Sequence, residues 1–184
     1  FWREREKELV NKLHIQATTD QLTGIYNRRV IFEALDEAME NSRQSQDRQF
    51  ATIMFDIDFF KQVNDNYGHA GGDAVLISFA QLLQTEISSP NIVGRIGGEE
   101  FLAILYLDPD QAKEFCTKLI KKINNNVVNF DGTDIKVSSS GGVAFSTETE
   151  TSADLTNKAD ERLYEAKKDG RNRFKLIDTE LVGD

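Results

Sequence analysis

The spacing of apolar residues along the chain predicts an alternation of helices and strands. Helical spacing marks one buried face in each of four segments, at residues 30–39, from about 73 to 83, 112–123 and 152–170. Apolar runs predict strands at residues 51–55 and 101–105, and shorter or interrupted β-type segments predict two more at residues 93–96 and 135–145. Helices and strands therefore interleave within one mixed α/β domain.

Two of the predicted strands are separated only by a short turn that begins with two glycines. The runs Val93–Ile96 and Phe101–Leu105 flank Gly97 and Gly98, and glycine supplies the positive φ that hairpin turns need. This pattern predicts an antiparallel hairpin. The sheet is therefore mixed, and a doubly wound parallel fold is disfavoured.

The first 17 residues differ from the rest of the chain because they are dense in charge. Trp2, Leu9 and Leu13 are spaced near a heptad interval, but two heptads do not establish a coiled coil, and a solvated helix is the alternative. The sequence also opens without a methionine. We expect residues 1–17 to form a helical stalk that descends from an upstream sensor domain in a longer protein.

Composition limits the class of protein. A chain of 184 residues suffices for one domain, which we place at residues 18–178 with a C-terminal tail at 179–184. The apolar content of 39% is typical of a globular protein, and no apolar run is long enough to cross a bilayer. The net charge of −9 argues against nucleic-acid binding, because the phosphate backbone repels an acidic surface. The single cysteine, Cys116, excludes an internal disulfide and lies on an apolar helix face, which favours a core position.

Acidic residues follow one predicted strand and fill the predicted hairpin turn. Asp56 and Asp58 are two apart and would point to one face of a strand, and the turn carries Glu99 and Glu100. If the hairpin pairs beside that strand, these carboxylates converge and repel one another strongly. Mg²⁺ relieves such repulsion and prefers carboxylates together with phosphate oxygens, and two ions about 3.5–4 Å apart would clamp a phosphoryl displacement. The alternative to a metal site is that these carboxylates are only solvated charges in loops.

The segment after Asp58 and the end of the last helix offer groups for a nucleotide. Asn64 has an amide donor and acceptor, and Asp73 can accept two N–H groups such as those on the edge of guanine, although both could instead be turn and N-cap residues. Lys167 and Arg171, four apart across a helix end, could present two cations to a triphosphate. Complementation of the helix dipole is the other interpretation of these two cations.

Four separated blocks of sequence together carry a family resemblance. The chain resembles the GGDEF family of diguanylate cyclases over residues 18–175. The matching blocks, in the family's order and spacing, are Asp20–Arg29, Asp56–Asp73, the name-giving motif Gly97–Phe101 in its GGEEF form, and Tyr164–Asn172. The resemblance implies a palm-like nucleotide-cyclase fold of the α/β (α+β) class, with a central, mostly antiparallel mixed sheet wrapped by helices. It also implies the condensation of two GTP molecules into cyclic di-GMP with release of two pyrophosphates.

The resemblance further assigns roles to individual residues. It implies two Mg²⁺ ions per active site, with Mn²⁺ as an alternative, held by Asp56, the carbonyl of Ile57 and Glu99, with Glu100 as a further metal ligand or base. Glu99 would share in activating the hydroxyl, so Glu99 and Glu100 are both candidate catalytic residues. The residues that would contact GTP are Phe59 and Phe60 through their backbone, Lys61, Asn64, His69, Asp73, Gly97, Gly98, Lys167 and Arg171.

The expected partners follow from the same resemblance. One domain holds one GTP, so catalysis implies a homodimer of facing domains that releases cyclic di-GMP, and the stalk could set their relative orientation. We expect the catalytic domain in the cytoplasm, where it could be part of a membrane-anchored protein. A catalytically inactive GTP-binding sensor is the main alternative, but such domains usually have a damaged motif. Asp73 disfavours an adenine substrate, because an unpaired buried acceptor costs about 1–3 kcal/mol. A scaffold role would leave the predicted cluster of carboxylates at the edge of the sheet unexplained.

One part of the sequence departs from the family pattern. Many members carry an Arg-x-x-Asp product-binding site nine residues ahead of the first motif glycine. Here Ser88 and Asn91 replace the arginine and the aspartate. We therefore expect no allosteric product site at this position and weak or absent feedback inhibition through it.

Overall fold

The computed structural model describes residues 2–183; Phe1 and Asp184, the outermost residues of the predicted stalk and tail, lie outside the described residues. Within that range the helices are α1 (Trp2–Thr18), α2 (Arg28–Gln44), α3 (Phe60–Glu86), α4 (Pro109–Asn125) and α5 (Ser152–Lys168). The strands are β1 (Ala51–Ile57), β2 (Ile92–Gly97), β3 (Glu100–Leu105), β4 (Val128–Phe130), β5 (Thr133–Ile135), β6 (Ser139–Phe145), β7 (Arg173–Lys175) and β8 (Glu180–Val182).

Six strands form the central sheet, in the order β2-β3-β1-β6-β7-β8, and β4 and β5 form a separate hairpin. The pairs of β1 with β3 and with β6 are antiparallel, whereas β6 and β7 are parallel. The predicted fold class, a mostly antiparallel mixed sheet wrapped by helices, is confirmed. Strand β8 lies in residues 179–184, which we set apart as a tail, and it adds an edge to the sheet.

The core lies on both faces of the central strand, because every residue of β1 is buried. Ile53 and Phe55 face one cluster of apolar residues, to which α3 and α4 contribute. Met54 faces a second cluster, to which α2 and α5 contribute. Cys116 is fully buried in the first cluster, and burial raises the pKa of its thiol to about 12. This confirms Cys116 as a core residue rather than a nucleophile.

Helix α5 approaches the sheet unusually closely at Gly142 of β6. A Cβ atom at this glycine would lie 1.9 Å from the carbonyl oxygen of Ala159 and 2.5 Å from the backbone nitrogen of Leu163. Only a residue without a side chain allows this approach. The contact fixes the height of α5 above β6 and therefore the position of the residues at the end of that helix.

Helix α1 has no buried residue, and its side chains Trp2, Leu9 and Leu13 are exposed. The predicted helix at the start of the chain is thus confirmed, whereas its role as a stalk stays a prediction. Among residues 2–183, no helix combines the length and the apolar character that crossing a bilayer requires.

The beginning of α3 differs from the prediction. The helix begins at Phe60 rather than near Asp73, and it breaks at Gly68, where φ is 72° and ψ is 173°. Asp73 therefore lies inside a helix and is no N-cap, and Asn64 is a helical residue rather than a turn residue. The apolar period does not reveal the first turns of α3, because Phe60 and Val63 are the only residues buried before the break.

Two predictions about strands also need correction. The predicted strand over residues 135–145 is two strands, β5 and β6, separated by residues 136–138. The hairpin of β4 and β5 was not predicted, although Asp131 and Gly132 have φ of 49° and 77° and form the two-residue turn that an Asp-Gly pair indicates.

The hairpin of β2 and β3 is confirmed, but the reason given for its glycines is wrong. Neither Gly97 nor Gly98 has φ in the left-handed region. A shift of register between Arg95 and Gly97 instead bends the strand into the turn, as β-bulges do.

Candidate functional site

Three carboxylates meet where β1 ends beside the turn between β2 and β3. Asp56 pairs in register with Glu100, and the backbone N–H of Ile57 donates to the carbonyl of Glu99 at 3.3 Å. Asp56 is almost completely buried, whereas Glu99 and Glu100 are partly exposed. Within residues 2–183, the side chains of these two glutamates have no hydrogen-bond or ion-pair partner. The predicted convergence of acids at this edge of the sheet is therefore confirmed for these three residues.

Lys167 is the cation that contacts this group of acids. Its Nζ lies 2.8 Å from Oδ2 of Asp56. Burial raises the pKa of Asp56, and the charges of Glu99 and Glu100 raise it further, whereas the hydrogen bond and the charge of Lys167 act against them. The net pKa of Asp56 is raised, so one lysine does not compensate burial and two neighbouring glutamates.

These residues fit a divalent cation of the magnesium type. No three His, Cys, Asp or Glu side chains in the described part of the chain form a complete metal cage. Mg²⁺ does not need such a cage, because it is usually bound through one or two carboxylates together with substrate phosphates and water. Asp56 and Glu99 offer the carboxylates, and the excess of negative charge at this edge favours a hard cation.

Asp58 does not join the acidic edge, contrary to the interpretation from its spacing. Its Oδ1 accepts from the hydroxyl of Ser140 at 2.6 Å, and its Oδ2 accepts from the hydroxyl of Ser138 at 2.6 Å. Oδ2 also accepts from the backbone N–H of Asn172 at 2.9 Å. The side chain is buried, and it joins the end of β1, the start of β6 and the loop after α5.

The N-terminus of α3 lies directly after the acidic edge and lacks a side-chain cap. Phe59 is the N-cap residue, with φ of 55° and ψ of 31°. The carbonyl of Phe59 accepts the first helical hydrogen bonds, so the N–H groups of Phe60 and Lys61 have no partner inside the helix. Unpaired N–H groups and the positive end of the helix dipole are typical of a phosphate site.

Arg171 lies at this same helix end. Its guanidinium carbon is 4.5 Å from the centre of the Phe59 ring. Helix α5 ends just before it, and the backbone N–H of Arg171 donates to the carbonyl of Ala166 at 2.9 Å. The two predicted phosphate cations thus have different protein contacts, because Arg171 lies over the Phe59 ring and Lys167 pairs with Asp56.

The residues predicted to contact guanine lie on both sides of the break in α3. Asn64 precedes the break, His69 follows it directly, and Asp73 is exposed one turn further on. Among the described residues, neither Asn64 nor Asp73 has a side-chain hydrogen bond or ion pair, so both polar groups are available to a ligand. The break brings the two segments into contact, since the Asn64 carboxamide lies against Gly72.

The loop where the product-binding pair is replaced carries no charge at the two positions. The backbone N–H of Asn91 donates to the carbonyl of Ser88 at 3.0 Å. The Asn91 carboxamide oxygen accepts from the backbone N–H of Tyr106 at 2.8 Å, so this side chain holds the loop against the end of β3. The missing product site stays a prediction.

Sequence reasoning missed three residues that shape the site. Asp58 was taken for a free carboxylate, because its three donors come from distant segments and leave no local pattern. Gly72 was included only as part of the matching block Asp56–Asp73. Arg95 was not singled out, although its Nε donates to the carbonyl of Gly98 at 2.9 Å, and an arginine two residues before the motif was the available signal.

Fold and site together define an α/β domain of the nucleotide-cyclase class, with an acidic strand end beside an uncapped helix N-terminus. Residues 17–173 match the family described as diguanylate cyclase, GGDEF domain, and the chain belongs to this GGDEF family. The resemblance carried by the four sequence blocks is thus confirmed.

Two curated relatives are named as diguanylate cyclases. The chain is 35% identical over 170 residues to diguanylate cyclase DgcS of Shewanella oneidensis, covering 92% of this chain and 56% of the relative. It is 33% identical over 168 residues to diguanylate cyclase A of Treponema denticola, covering 89% of this chain and 45% of the relative. The chain therefore spans about half the length of these relatives.

Solved structures share the fold. The coiled coil and GGDEF domain of DgcB from Caulobacter crescentus, in complex with c-di-GMP, matches with a TM-score of 0.86 at 27% identity, over 94% of this chain and 92% of that one. The diguanylate cyclase SiaD from Pseudomonas aeruginosa, in complex with its activator SiaC, matches with a TM-score of 0.83 at 33% identity, over 95% of this chain and 67% of that one.

Proposed function

We propose that this domain condenses two GTP molecules into cyclic di-GMP and releases two pyrophosphates. The observation that carries the proposal is the pairing of Asp56 with Glu100 at the end of β1, beside the uncapped start of α3. It places an excess of carboxylates next to N–H groups suited to phosphate. The names of the curated relatives, both diguanylate cyclases, support the same reaction.

Asp56 and Glu99 would hold two Mg²⁺ ions, with the carbonyl of Ile57 and the carboxylate of Glu100 as further ligands. Mn²⁺ would suit the same oxygen ligands. Such ions, when bound, neutralise triphosphate charge and make a hydroxyl easier to deprotonate. Glu99 and Glu100 have no protein partner within residues 2–183, so either carboxylate can accept the proton of the attacking 3′-hydroxyl.

The phosphates would lie against the N-terminus of α3. The N–H groups of Phe60 and Lys61, preceded by the left-handed Phe59, would bind phosphate oxygens, and the Lys61 and Arg171 side chains would add two cations. Lys167, which contacts Asp56, would bind a phosphate oxygen together with that carboxylate. These contacts would hold the α-phosphorus in line for attack, and such positioning can supply much of the rate.

Guanine would be recognised at the break in α3. Asp73 would accept from the N1–H and the 2-amino group of the base, Asn64 would offer its carboxamide, and His69 would lie nearby. Gly98 would let the substrate pass close to the hairpin turn, because the space where its side chain would stand is open. Gly97 lies beside Glu100 and would line the same side of the substrate.

The reaction needs two copies of the domain, because each would hold one GTP. Helix α1 would set their relative orientation as a dimerising stalk, since Leu9 and Leu13 are exposed along it. We expect a chain that begins at Thr18 to show lower turnover per domain at equal concentration; unchanged turnover would count against this role. The same proposal includes an upstream sensor domain and a cytoplasmic location of this domain. It also includes attachment to a membrane through the longer protein.

Incubation of the purified chain with GTP and Mg²⁺ tests the reaction, with chromatography to detect the dinucleotide. We expect product from the parent, and a loss of at least roughly 100-fold from Asp56→Asn and from Glu99→Gln. Asp110→Asn, which removes an exposed carboxylate on α4, is the matched control and should retain activity. Product formation that survives Asp56→Asn would overturn the metal assignment. GTP binding without any product would favour the inactive sensor.

A further inference from the structure

The two segments of α3 touch at a buried glycine. A Cβ atom at Gly72 would lie 2.0 Å from Oδ1 of Asn64, 3.0 Å from its Cγ and 3.2 Å from Cζ of Phe60. The break at Gly68 turns the second segment back, so that residues eight apart meet in this way. The Asn64 carboxamide therefore occupies the space that a side chain at position 72 would need.

The contact places the Asn64 carboxamide against the residue that directly precedes Asp73. Asp73 directly follows Gly72, and in the described part of the chain neither its carboxylate nor the Asn64 carboxamide has a protein partner. Within residues 2–183 no hydrogen bond holds the carboxamide, and it packs in the space left by the missing side chain of Gly72. Glycine is unfavourable inside a helix compared with alanine, and this contact supplies a reason for it.

We propose that Gly72 is a positioning residue for base recognition, because its missing side chain lets the Asn64 carboxamide pack against the helical turn that carries Asp73. The inference rests on the proposed function, in which Asn64 and Asp73 bind guanine. It goes further by assigning base selectivity to a residue that does not itself offer a polar side chain to the nucleotide.

Gly71 gives the contrast within the same turn. A Cβ atom there would lie 2.4 Å from Cβ of Tyr67, an atom fixed to the helix backbone, so a side chain at Gly71 would disturb the helix itself. At Gly72 the nearest atoms belong to the end of the Asn64 side chain, which can rotate away. Gly72→Ala is therefore expected to leave the fold in place and to displace the carboxamide.

A double-mutant cycle tests this inference on the full chain. The variants are Gly72→Ala, Asn64→Ala and the two together, and the measurements are the dissociation constants for GTP and for inorganic triphosphate, with Mg²⁺ present. We expect each single variant to weaken GTP binding roughly tenfold, the size of one lost hydrogen bond to a polar group. We expect the double variant to bind GTP as Asn64→Ala does, because the clash no longer exists. Triphosphate affinity should stay unchanged throughout.

Three results would overturn the inference. One is unchanged GTP affinity in Gly72→Ala. Another is a loss of GTP affinity in the double variant equal to the product of the two single losses, which would mean that Gly72 acts through something other than Asn64. The third is an equal loss for triphosphate. Two further results act through the proposed function. A parent that binds no GTP would overturn the proposed function together with the inference. Asp73→Asn with unchanged GTP affinity would overturn the base site and the inference, but not the proposed condensation of GTP.

A second variant covers the case in which Gly72→Ala does not fold. Asn64→Gln lengthens the side chain by one methylene, so that its carboxamide no longer fits in the same position against Gly72. We expect the same weakening of GTP binding with unchanged triphosphate affinity, and GTP affinity equal to that of the parent would overturn the inference.

Discussion

Arg95 and Asp20 form an ion pair in which Nη1 of the arginine lies 3.0 Å from Oδ1 of the aspartate. Asp20 lies two residues after the end of α1, and its Oδ1 also accepts from the backbone N–H of Thr23 at 2.9 Å. Burial acts to raise the pKa of Asp20, but the hydrogen bonds from Thr23 and Arg95 outweigh it and lower the pKa. Since Arg95 also donates to the carbonyl of Gly98, this one side chain joins the loop after α1 to the motif turn.

Removal of this link should affect catalysis more than binding. We expect Arg95→Gln to lower kcat roughly 10- to 100-fold, because the turn that carries Glu99 loses its support and small displacements of catalytic groups are costly. The dissociation constant for GTP should change little. Lys118→Gln, which removes an exposed pair with Glu114, is the control. Steady-state kinetics with an unchanged kcat would show that the link has no catalytic role.

Asp58 should position Arg171 rather than bind metal. We expect Asp58→Asn to lower the free energy of unfolding by about 1.5–3 kcal/mol, because a hydrogen-bonded charge is lost. It should also raise the KM for GTP, since the Asn172 N–H that holds the loop after α5 loses an ionic acceptor. Urea unfolding and kinetics measure the two effects.

The Arg171→Ala background separates this role from metal binding. If Asp58 acts through Arg171, Asp58→Asn should raise KM no further when Arg171 is already absent. A loss of kcat as large as that of Asp56→Asn would instead indicate a metal ligand.

The pair of Glu148 and Arg162 should make stability depend on pH. The guanidinium donates twice to the carboxylate, at 2.8 and 2.6 Å. Burial alone would raise the pKa of Glu148, but the hydrogen bonds from Arg162 and from the N–H of Phe145 outweigh it, so the pKa is lowered. A carboxyl with a lowered pKa stabilises the fold above its ordinary value of 4.5 and loses this effect as the pH falls through the folded value.

Glu148→Gln tests this dependence. At about pH 7 we expect it to cost about 1.5–3 kcal/mol of unfolding free energy, and the difference from the parent should shrink as the pH falls below about 4. Glu114→Gln is the matched control, because Glu114 forms an exposed pair. A difference that stays constant with pH would contradict the assignment.

Feedback inhibition by cyclic di-GMP should be weak or absent at the loop of Ser88 and Asn91. Neither residue carries the charge that would bind the product, and the Asn91 carboxamide oxygen is bonded to Tyr106. The double change Ser88→Arg and Asn91→Asp should introduce inhibition, since aspartate retains an oxygen for the Tyr106 N–H. Tight product binding to the parent in calorimetry, abolished by changes at the same two positions, would contradict the prediction.

The helices with strong local signals were predictable from sequence. At the start of α4, Asp108 is the N-cap and accepts from the N–H of Gln111 at 2.9 Å, and Pro109 is the first helical residue. Helix α5 ends before Gly170, which has φ of 120°. The first turns of α3 were not predictable, because the helix breaks at Gly68 and the short segment before it shows no clear apolar period.

The same division holds for the site. Asp56, Glu99 and Glu100 could be brought together from sequence, because a hairpin beside a strand fixes their register. The partner of Lys167 and the surroundings of Asp58 could not, since both depend on how α5 and its following loop lie on the sheet. Side chains held by contacts between distant segments leave no periodic signal.

The close contact between α5 and Gly142 affects the charge at the end of β1, where Asp56, Glu99 and Glu100 lie. Leu163, which touches that glycine, lies one helical turn before Lys167. Any side chain at position 142 would lift the helix and draw the ammonium group away from the aspartate. An apolar substitution at position 142, in the interior of the domain, would thus remove the lysine charge from Asp56, Glu99 and Glu100.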